Sequence, residues 1–264
     1  MTEQHSERFT GRVADYEKYR TRYPVEAVDL LRRHCGLRPT SMVADVGAGT
    51  GMLAELFLGN GNRVIAVEPN AEMRAACERL KQRYSGLMVV DAVAEATTIK
   101  DGAVDFVAAG RAWHWFDRER ALVEFRRILK PAGWVVLVTN RRNKDDSAAA
   151  RAYEEILLEF GTDYRKLQSG YRVYDDMAPL FAEGRVVKET LQGKQMLTLT
   201  EFLGQTQSLS VAPMAGDPKF PGMQAALREY FEKYQRDGLL QMGILCSVVA
   251  YQAPEEQGST LDDV

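Results

Sequence analysis

Cysteine is scarce in this chain. Cys35, Cys77 and Cys246 are three in 264 residues, far apart, in no CxxC pair and beside no histidine cluster. That excludes a disulfide scaffold and a zinc site, and leads us to expect reduced structural thiols in a cytoplasmic protein. An excess of one charge is also missing: 34 Lys and Arg stand against 37 Asp and Glu, a formal net charge of −3. Such a balance gives no footprint for nucleic acid and no polybasic arm for a membrane surface, so a small or peptide-sized partner is expected. No apolar run approaches the ~20 residues of a membrane span, and the opening Met1–Arg8 carries no signal-peptide apolar region. No internal repeat is visible.

What is present is an ordinary globular balance, 45% hydrophobic and 27% charged, in a length that suits one large α/β domain or one domain with a cap. The most informative segment is Val43-Ala44-Asp45-Val46-Gly47-Ala48-Gly49-Thr50-Gly51. It reads as a short buried strand that breaks into alternating glycines and then starts a helix. Such a turn lets a ligand lie against main-chain N–H groups at the helix N-terminus. The next strand, Arg63 to Glu68, ends in an acid, and a carboxylate there can accept hydrogen bonds from both hydroxyls of a ribose. Further strands are expected at Leu87–Val90, Ala103–Ala109 and Trp134–Val138, with the Lys130–Gly133 turn before the last. The helices between them are amphipathic. Pro24 opens one and Gly36 ends it, Asn70 and Asp117 cap two others, and a helix bearing Leu53 and Phe57 follows the glycine turn. Near-continuous apolar strands alternating with helices imply a parallel sheet covered on both faces. Beyond it, the pattern predicts a helix over 147–160, a cap over 161–184, a strand over 185–199, a helix from about 223 to 236, a long final strand over 239–251 and a polar tail from Pro254.

Glycine turn and strand-end acid define a nucleoside-bearing ligand without naming it. The dinucleotide pattern G-x-G-x-x-G/A fails from Gly47, where Met52 takes the third glycine position, and is met from Gly49 through Ala54. A nicotinamide-dependent oxidoreductase therefore stays open on this fingerprint alone.

The wider chain supplies more. Asp45–Gly51, Val67–Met73, Ala94-Glu95-Ala96, Val104-Asp105 and Ile128–Gly133 resemble, in order and spacing, the successive motifs of class I S-adenosylmethionine-dependent methyltransferases. The segment Ala112-Trp113-His114-Trp115-Phe116-Asp117, and the opening Phe9–Tyr16 and Tyr19–Pro24, resemble the small-molecule branch that includes trans-aconitate methyltransferase. The resemblance implies a doubly wound, Rossmann-like sheet of seven strands, mostly parallel, with an antiparallel last strand beside the fifth and a small cap. It divides the chain into an N-terminal helical lid (1–35), a cofactor-binding α/β core (36–145), a C-terminal part with cap insertions (146–253) and a flexible tail (254–264).

By that resemblance S-adenosylmethionine is the cofactor. Gly47, Ala48, Gly49 and Gly51 pass beneath its methionine and ribose, and Asp45 supports the loop near its ammonium. Glu68 holds the ribose, Pro69 and Met73 contact the adenine region, and Ala94 and Glu95 meet the adenine edge. Gly110 and Arg111 line the cofactor beside the fourth strand, and Tyr19 and Arg20 either close over the cofactor as a lid or belong to an amphipathic helix packed on the sheet edge. His114 stands near the acceptor, as pocket wall or proton carrier, and Arg111 could clamp an acceptor carboxylate. Arg141–Asp146 reads as a solvated loop, and Tyr164, Tyr171, Met196, Met214 and Met223 as core or acceptor-pocket residues. The expected protein is a monomer or homodimer that methylates a small molecule without a metal. The rivals are an NAD(P)-dependent oxidoreductase and a non-catalytic protein that binds S-adenosylmethionine.

Overall fold

A computed structural model describes residues 17–144, 146–165 and 185–252. The expectations for residues 9–16 (Tyr16 included), for 166–184 of the cap (Tyr171 included) and for the tail lie outside them.

The strands are β1 (Met42–Val46), β2 (Arg63–Val67), β3 (Leu87–Val90), β4 (Val104–Gly110), β5 (Leu129–Arg142), β6 (Val186–Leu197) and β7 (Leu240–Gln252). They form one sheet in the order β3-β2-β1-β4-β5-β7-β6. Neighbours from β3 through β5 pair in parallel, and β7 runs antiparallel between β5 and β6. The fold is thus the mixed seven-stranded α/β sheet that the sequence predicts. Its order reverses between β1 and β4, and open sheets of this kind bind ligands outside the carboxyl ends of the strands at that point.

The helices are α1 (Glu26–Cys35), α2 (Met52–Gly59), α3 (Ala71–Arg79), α4 (Arg118–Ile128), α5 (Ala148–Phe160), α6 (Leu199–Gln207) and α7 (Phe220–Tyr234). Their ends follow local chemistry. The side chains of Asn70, Asp117, Ser147 and Thr198 each accept an amide of the first turn, and Gly36 closes α1 at a φ of 69°. Two boundaries differ from the sequence reading. α1 begins at Glu26, because Pro24 lies in the turn before it and accepts the Ala27 amide. α7 begins at Phe220, because Pro221 occupies its first turn, where a missing N–H costs nothing. β5 is longer than expected: its pairing with β4 shifts between Leu129 and Trp134, and the Lys130–Gly133 turn, with Ala132 at a φ of 59°, is a bulge inside the strand.

Strand alternation divides the core. Val43, Phe106, Trp134, Val136, Val248 and Ala250 pack with Leu31, Leu53 and Phe57 on one face. Ala44, Val46, Val107, Val135, Leu137 and Val249 pack with Trp113, Phe125 and Ile128 on the other. The three cysteines are buried and unpaired, and burial pushes each thiol up to about 12, so they are inert packing.

The cap has its own core. β5 pairs with β7 only from Ile244 onward, so residues 240–243 of β7 and their β6 partners 194–197 run past the carboxyl end of β5. α5, α6 and α7 pack there around Tyr153, Leu157, Phe202, Met223, Leu227 and Phe231. Arg142 departs from the solvated loop the sequence suggests. It ends β5, lies 5.0 Å from the Tyr153 ring, and donates to Glu154 at 3.3 Å and to the Tyr164 hydroxyl at 2.8 Å. Glu154, brought in by α5, turns a nominal surface charge into a tie between sheet and cap.

Phe57→Ala and Phe125→Ala each open a cavity in a different face of the sheet and should cost about 3–5 kcal/mol in urea unfolding. Val123→Ala, on the exposed side of α4, should change stability by less than about 0.5 kcal/mol.

Candidate functional site

The glycine turn follows β1 at the switch point. The Gly47 and Ala48 amides both donate to the Val67 carbonyl, at 2.9 and 3.1 Å, which ties the turn to the end of β2. Gly47, Gly49 and Gly51 all take positive φ, 69°, 57° and 85°, but for different surroundings. A Cβ on Gly47 would stand 2.5 Å from the Ala112 Cβ, and one on Gly51 2.6 Å from the Leu80 side chain. These two glycines let protein pack on protein. A Cβ on Gly49 would meet nothing within 4 Å, so this is the glycine that faces open space. α2 then starts at Met52 with no side chain capping it, leaving first-turn N–H groups for a ligand.

Glu68 is only 6% exposed, yet both its oxygens are engaged: Oε2 accepts the Gly49 amide and Oε1 the Asn70 amide, each at 2.8 Å. Burial lifts its pKa, while the Asn70 and Gly49 amides and Arg74 pull the other way. A carboxylate has further lone-pair sites, so these two bonds leave capacity for hydroxyls. Arg74 donates to the Glu68 and Pro69 carbonyls at 3.0 and 2.9 Å and pairs with Asp91 at 2.8 Å, fixing the backbone where β2 turns into α3. Met73 is buried just beyond.

Asp45 is fully buried, and neither of its carboxylate oxygens has a hydrogen-bond partner. Burial raises its pKa to about 7; the nearby Ala54 amide, outside hydrogen-bonding geometry, opposes the shift and the Glu68 charge adds to it.

On the β3 side Ala94 is buried, and the Glu95 side chain turns to α4, its Oε1 accepting the Asp117 amide at 2.8 Å. On the β4 side Arg111 holds a φ of 57°, and its amide donates to the Val138 carbonyl at 3.1 Å. Gly110 is pressed from outside: a Cβ there would lie 2.7 Å from the Tyr23 hydroxyl and 3.2 Å from Leu53. Trp113, His114 and Trp115 form one 3-10 turn. Trp113 is core, packed on Phe116 and Phe125, whereas His114 is half-buried with its ring 4.5 Å from that of Trp115.

Tyr19 and Arg20 lie in a strap, residues 17–25, that crosses toward the cap. The Tyr19 ring rests on Gly204 of α6, and its carbonyl accepts Gln205 at 3.1 Å. Arg20 lines a cleft with residues of β6 and β7. Of the methionine and tyrosine candidates, Tyr164 and Met223 are buried in the cap core, while Met196 and Met214 are exposed.

Two residues that sequence reasoning passed over stand at the tip of β5. Asn140 donates to the Thr21 and Arg22 carbonyls at 3.2 and 3.0 Å, which settles its amide orientation and leaves Oδ1 buried without a partner. The Thr139 hydroxyl is also buried and unpartnered. The available signal was a Thr-Asn pair closing an otherwise apolar strand. Asp45, Thr50, Trp113, Thr139 and Asn140 thus gather orphaned polar atoms at the carboxyl edge of β1, β4 and β5. Unsatisfied buried groups are costly and mark places where a ligand or water completes the bonding. Among the described residues no group of His, Cys, Asp and Glu is arranged to hold a metal ion, and no helix is long and apolar enough to cross a membrane.

The structure defines a doubly wound α/β protein with a glycine-turn cradle at its switch point. Comparison with known proteins makes this specific: residues 44–137 match a family described as a methyltransferase domain. An uncharacterised methyltransferase of Mycobacterium tuberculosis is 37% identical over 136 residues, which are 52% of this chain and 53% of the relative. The chain therefore spans about half the length of the first curated relatives it matches. Among solved structures, one described as a type II methyltransferase from Anaeromyxobacter dehalogenans superposes with a TM-score of 0.64 at 22% identity, covering 89% of this chain and 98% of that one. A Haemonchus contortus N-methyltransferase in complex with phosphomonomethylethanolamine and S-adenosylhomocysteine gives 0.51 at 14% identity, over 92% of this chain and 57% of that one. Residues 44–137 thus resemble a methyltransferase domain, and the chain shares its fold with solved structures described as methyltransferases.

The Asp45 carboxyl yields a prediction with a definite sign. It binds its proton more tightly folded than unfolded, so the stability this proton contributes is whole below about pH 4 and is lost as pH rises through about 7. Asp45→Asn does not titrate and escapes that loss. Its advantage over the parent in urea unfolding, without ligand, should widen from pH 4 to pH 7 to roughly 4 kcal/mol at most, then level off. A gap independent of pH would show that Asp45 is ionised throughout.

Proposed function

We propose that this chain is a methyltransferase that binds S-adenosylmethionine in the β1–β4 cradle and methylates a small molecule held between the sheet edge and the cap. The observation that carries the reading is the cradle: Gly49 facing open space beside a buried Glu68 carboxylate and an unpartnered Asp45 carboxylate. These groups fit the proposed cofactor. Glu68 offers acceptor sites to ribose hydroxyls, and Asp45 is a carboxyl whose ionised form burial disfavours and a cationic or N–H partner such as an ammonium would favour. Gly47, Ala48, Gly49 and Gly51 form the floor beneath the methionine and ribose. Pro69, Met73 and Ala94 border the adenine, with Glu95 holding that border to α4. Bound there, the cofactor supplies a methyl carbon already activated by a sulfonium leaving group.

The protein's share is then alignment, exclusion of water and charge. Near-attack alignment alone is worth roughly 7–11 kcal/mol of barrier. Gly110 and Arg111 lead from the cradle to the acceptor side, where His114 stands in the wall and Arg111 is the cation for an acidic acceptor. The strap carrying Tyr19 and Arg20 and the cap helices enclose this end. A near-neutral chain and a capped edge favour a small acceptor over a polyanion.

S-adenosylhomocysteine should raise the melting temperature, by the equivalent of about 2.7 kcal/mol at a hundredfold excess over its Kd, and NAD or NADP should not. Glu68→Gln should weaken S-adenosylhomocysteine roughly tenfold or more in calorimetry. Stabilisation by a nicotinamide dinucleotide instead would install the oxidoreductase reading. In a methylation screen over small carboxylates, phenols and amines, Arg111→Gln should raise KM selectively for carboxylates. An unchanged preference removes the clamp.

A further inference from the structure

The segment between β3 and β4 carries Ala94 and Glu95, yet it has almost no sheet bonding of its own. Its regular pairing is one isolated bridge, Val93 with Ala96, and Thr98 sits at a φ of 62°. What holds it is α4. The Glu124 Oε1 accepts both the Thr97 amide, at 2.7 Å, and the Thr97 hydroxyl, at 2.6 Å. Thr97 is fully buried and Glu124 8% exposed, so this is a carboxylate taken out of water to grip one residue. Arg127, one turn on, balances the charge: Nε donates to Glu124 Oε2 at 2.8 Å and Nη2 to Oε1 at 2.7 Å. The same guanidinium donates to the Ile99 carbonyl at 2.8 Å and pairs with Asp101. At the other end of the helix the Asp117 amide holds Glu95. Residues 94–97 are thus strung between the first turn of α4 and Glu124.

We infer that Glu124, acting through Thr97, is a positioning residue for the adenine end of the cofactor site, setting the depth and orientation of the 94–96 backbone. This rests on the methyl-donor reading above. Geometry separates the role from general packing. Glu124 bonds the polypeptide one residue beyond the adenine-side backbone, and a buried charge-assisted bond has a narrow range of length and angle that an apolar contact lacks. Arg127 keeps the carboxylate ionised, and its bonds are the largest influence holding the Glu124 pKa down at about 2, so the grip persists across the working pH range.

The test uses the full chain with two probes, S-adenosylhomocysteine and 5′-deoxy-5′-methylthioadenosine, which shares the nucleoside and lacks the amino-acid end. Glu124→Gln and Thr97→Val should weaken both probes by the same factor, roughly tenfold, as expected for losing a bond to a charged group. Thr97→Ser keeps the hydroxyl and should retain parental affinity. Amide exchange over 93–97 should quicken in the two weakened variants and return to parental rates at saturating S-adenosylhomocysteine. Should Glu124→Gln fail to fold, the Thr97 pair carries the comparison alone. If the parent binds both probes and the folded variants bind them equally well despite a lower melting temperature, the contact is structural only and the inference falls. A loss confined to S-adenosylhomocysteine also overturns it, because the effect would then lie at the amino-acid end. A parent that binds neither probe overturns the methyl-donor reading and this inference with it.

Discussion

One carboxylate joins the parts of the cradle. Glu68 stands where β2 ends, and its two oxygens take the Gly49 amide on one side and the Asn70 amide on the other, each at 2.8 Å. The first bond holds the apex of the glycine turn, the second the start of α3, and both draw on a side chain removed from water. The surroundings are arranged to keep it there. Val67 accepts two amides of the turn, Arg74 pins the chain after β2, and Leu80 and Cys77 would have to shift to admit a side chain at Gly51. Position, rather than reactivity, is what such a network produces.

The same edge concentrates structure whose bonding is incomplete. Asp45 and Asn140 keep buried oxygens without partners, a few residues from elements packed as tightly as any in the molecule. A buried polar atom left unpaired costs on the order of 1–3 kcal/mol, more if charged. Two apolar faces and a third core under the cap supply the stability against which this cost is set. A ligand that offers donors to those atoms completes bonding that the protein's own groups leave unmade, which is the physical content of a preorganised site.

Polar ties at long sequence distance hold the strap, the cap and the loop before β4 to the sheet and its helices. Asn140 on β5 and Gln205 on α6 both hold the strap, Arg142 and Glu154 join sheet to cap, and Glu124 and Arg127 bind the loop before β4 to α4. The methyltransferase match covers residues 44–137 and leaves the cap out.

Much of this was legible in the sequence because its causes are local. Alternating glycines after an apolar strand, an acid at the next strand end, Asn70 and Asp117 before helical runs, and apolar periodicity state the element order, the parallel core and the cradle. Boundaries slipped where a neighbour decided them, as with Pro221 starting α7 early and the bulge that lets β5 continue through a turn. Arg142 looked solvated because Glu154 and Tyr164, which bury it, come from other elements. The division of the glycines into two that admit protein packing and one that faces open space depends on Ala112 and Leu80, distant in the chain. So the sequence by itself determined which elements form and where the glycine turn and the strand-end acid fall, through backbone freedom, capping and periodicity. Only the tertiary structure decided which polar atoms are left unpaired, and which distant carboxylates hold the site's loops, because burial and hydrogen-bond satisfaction are properties of packed neighbours.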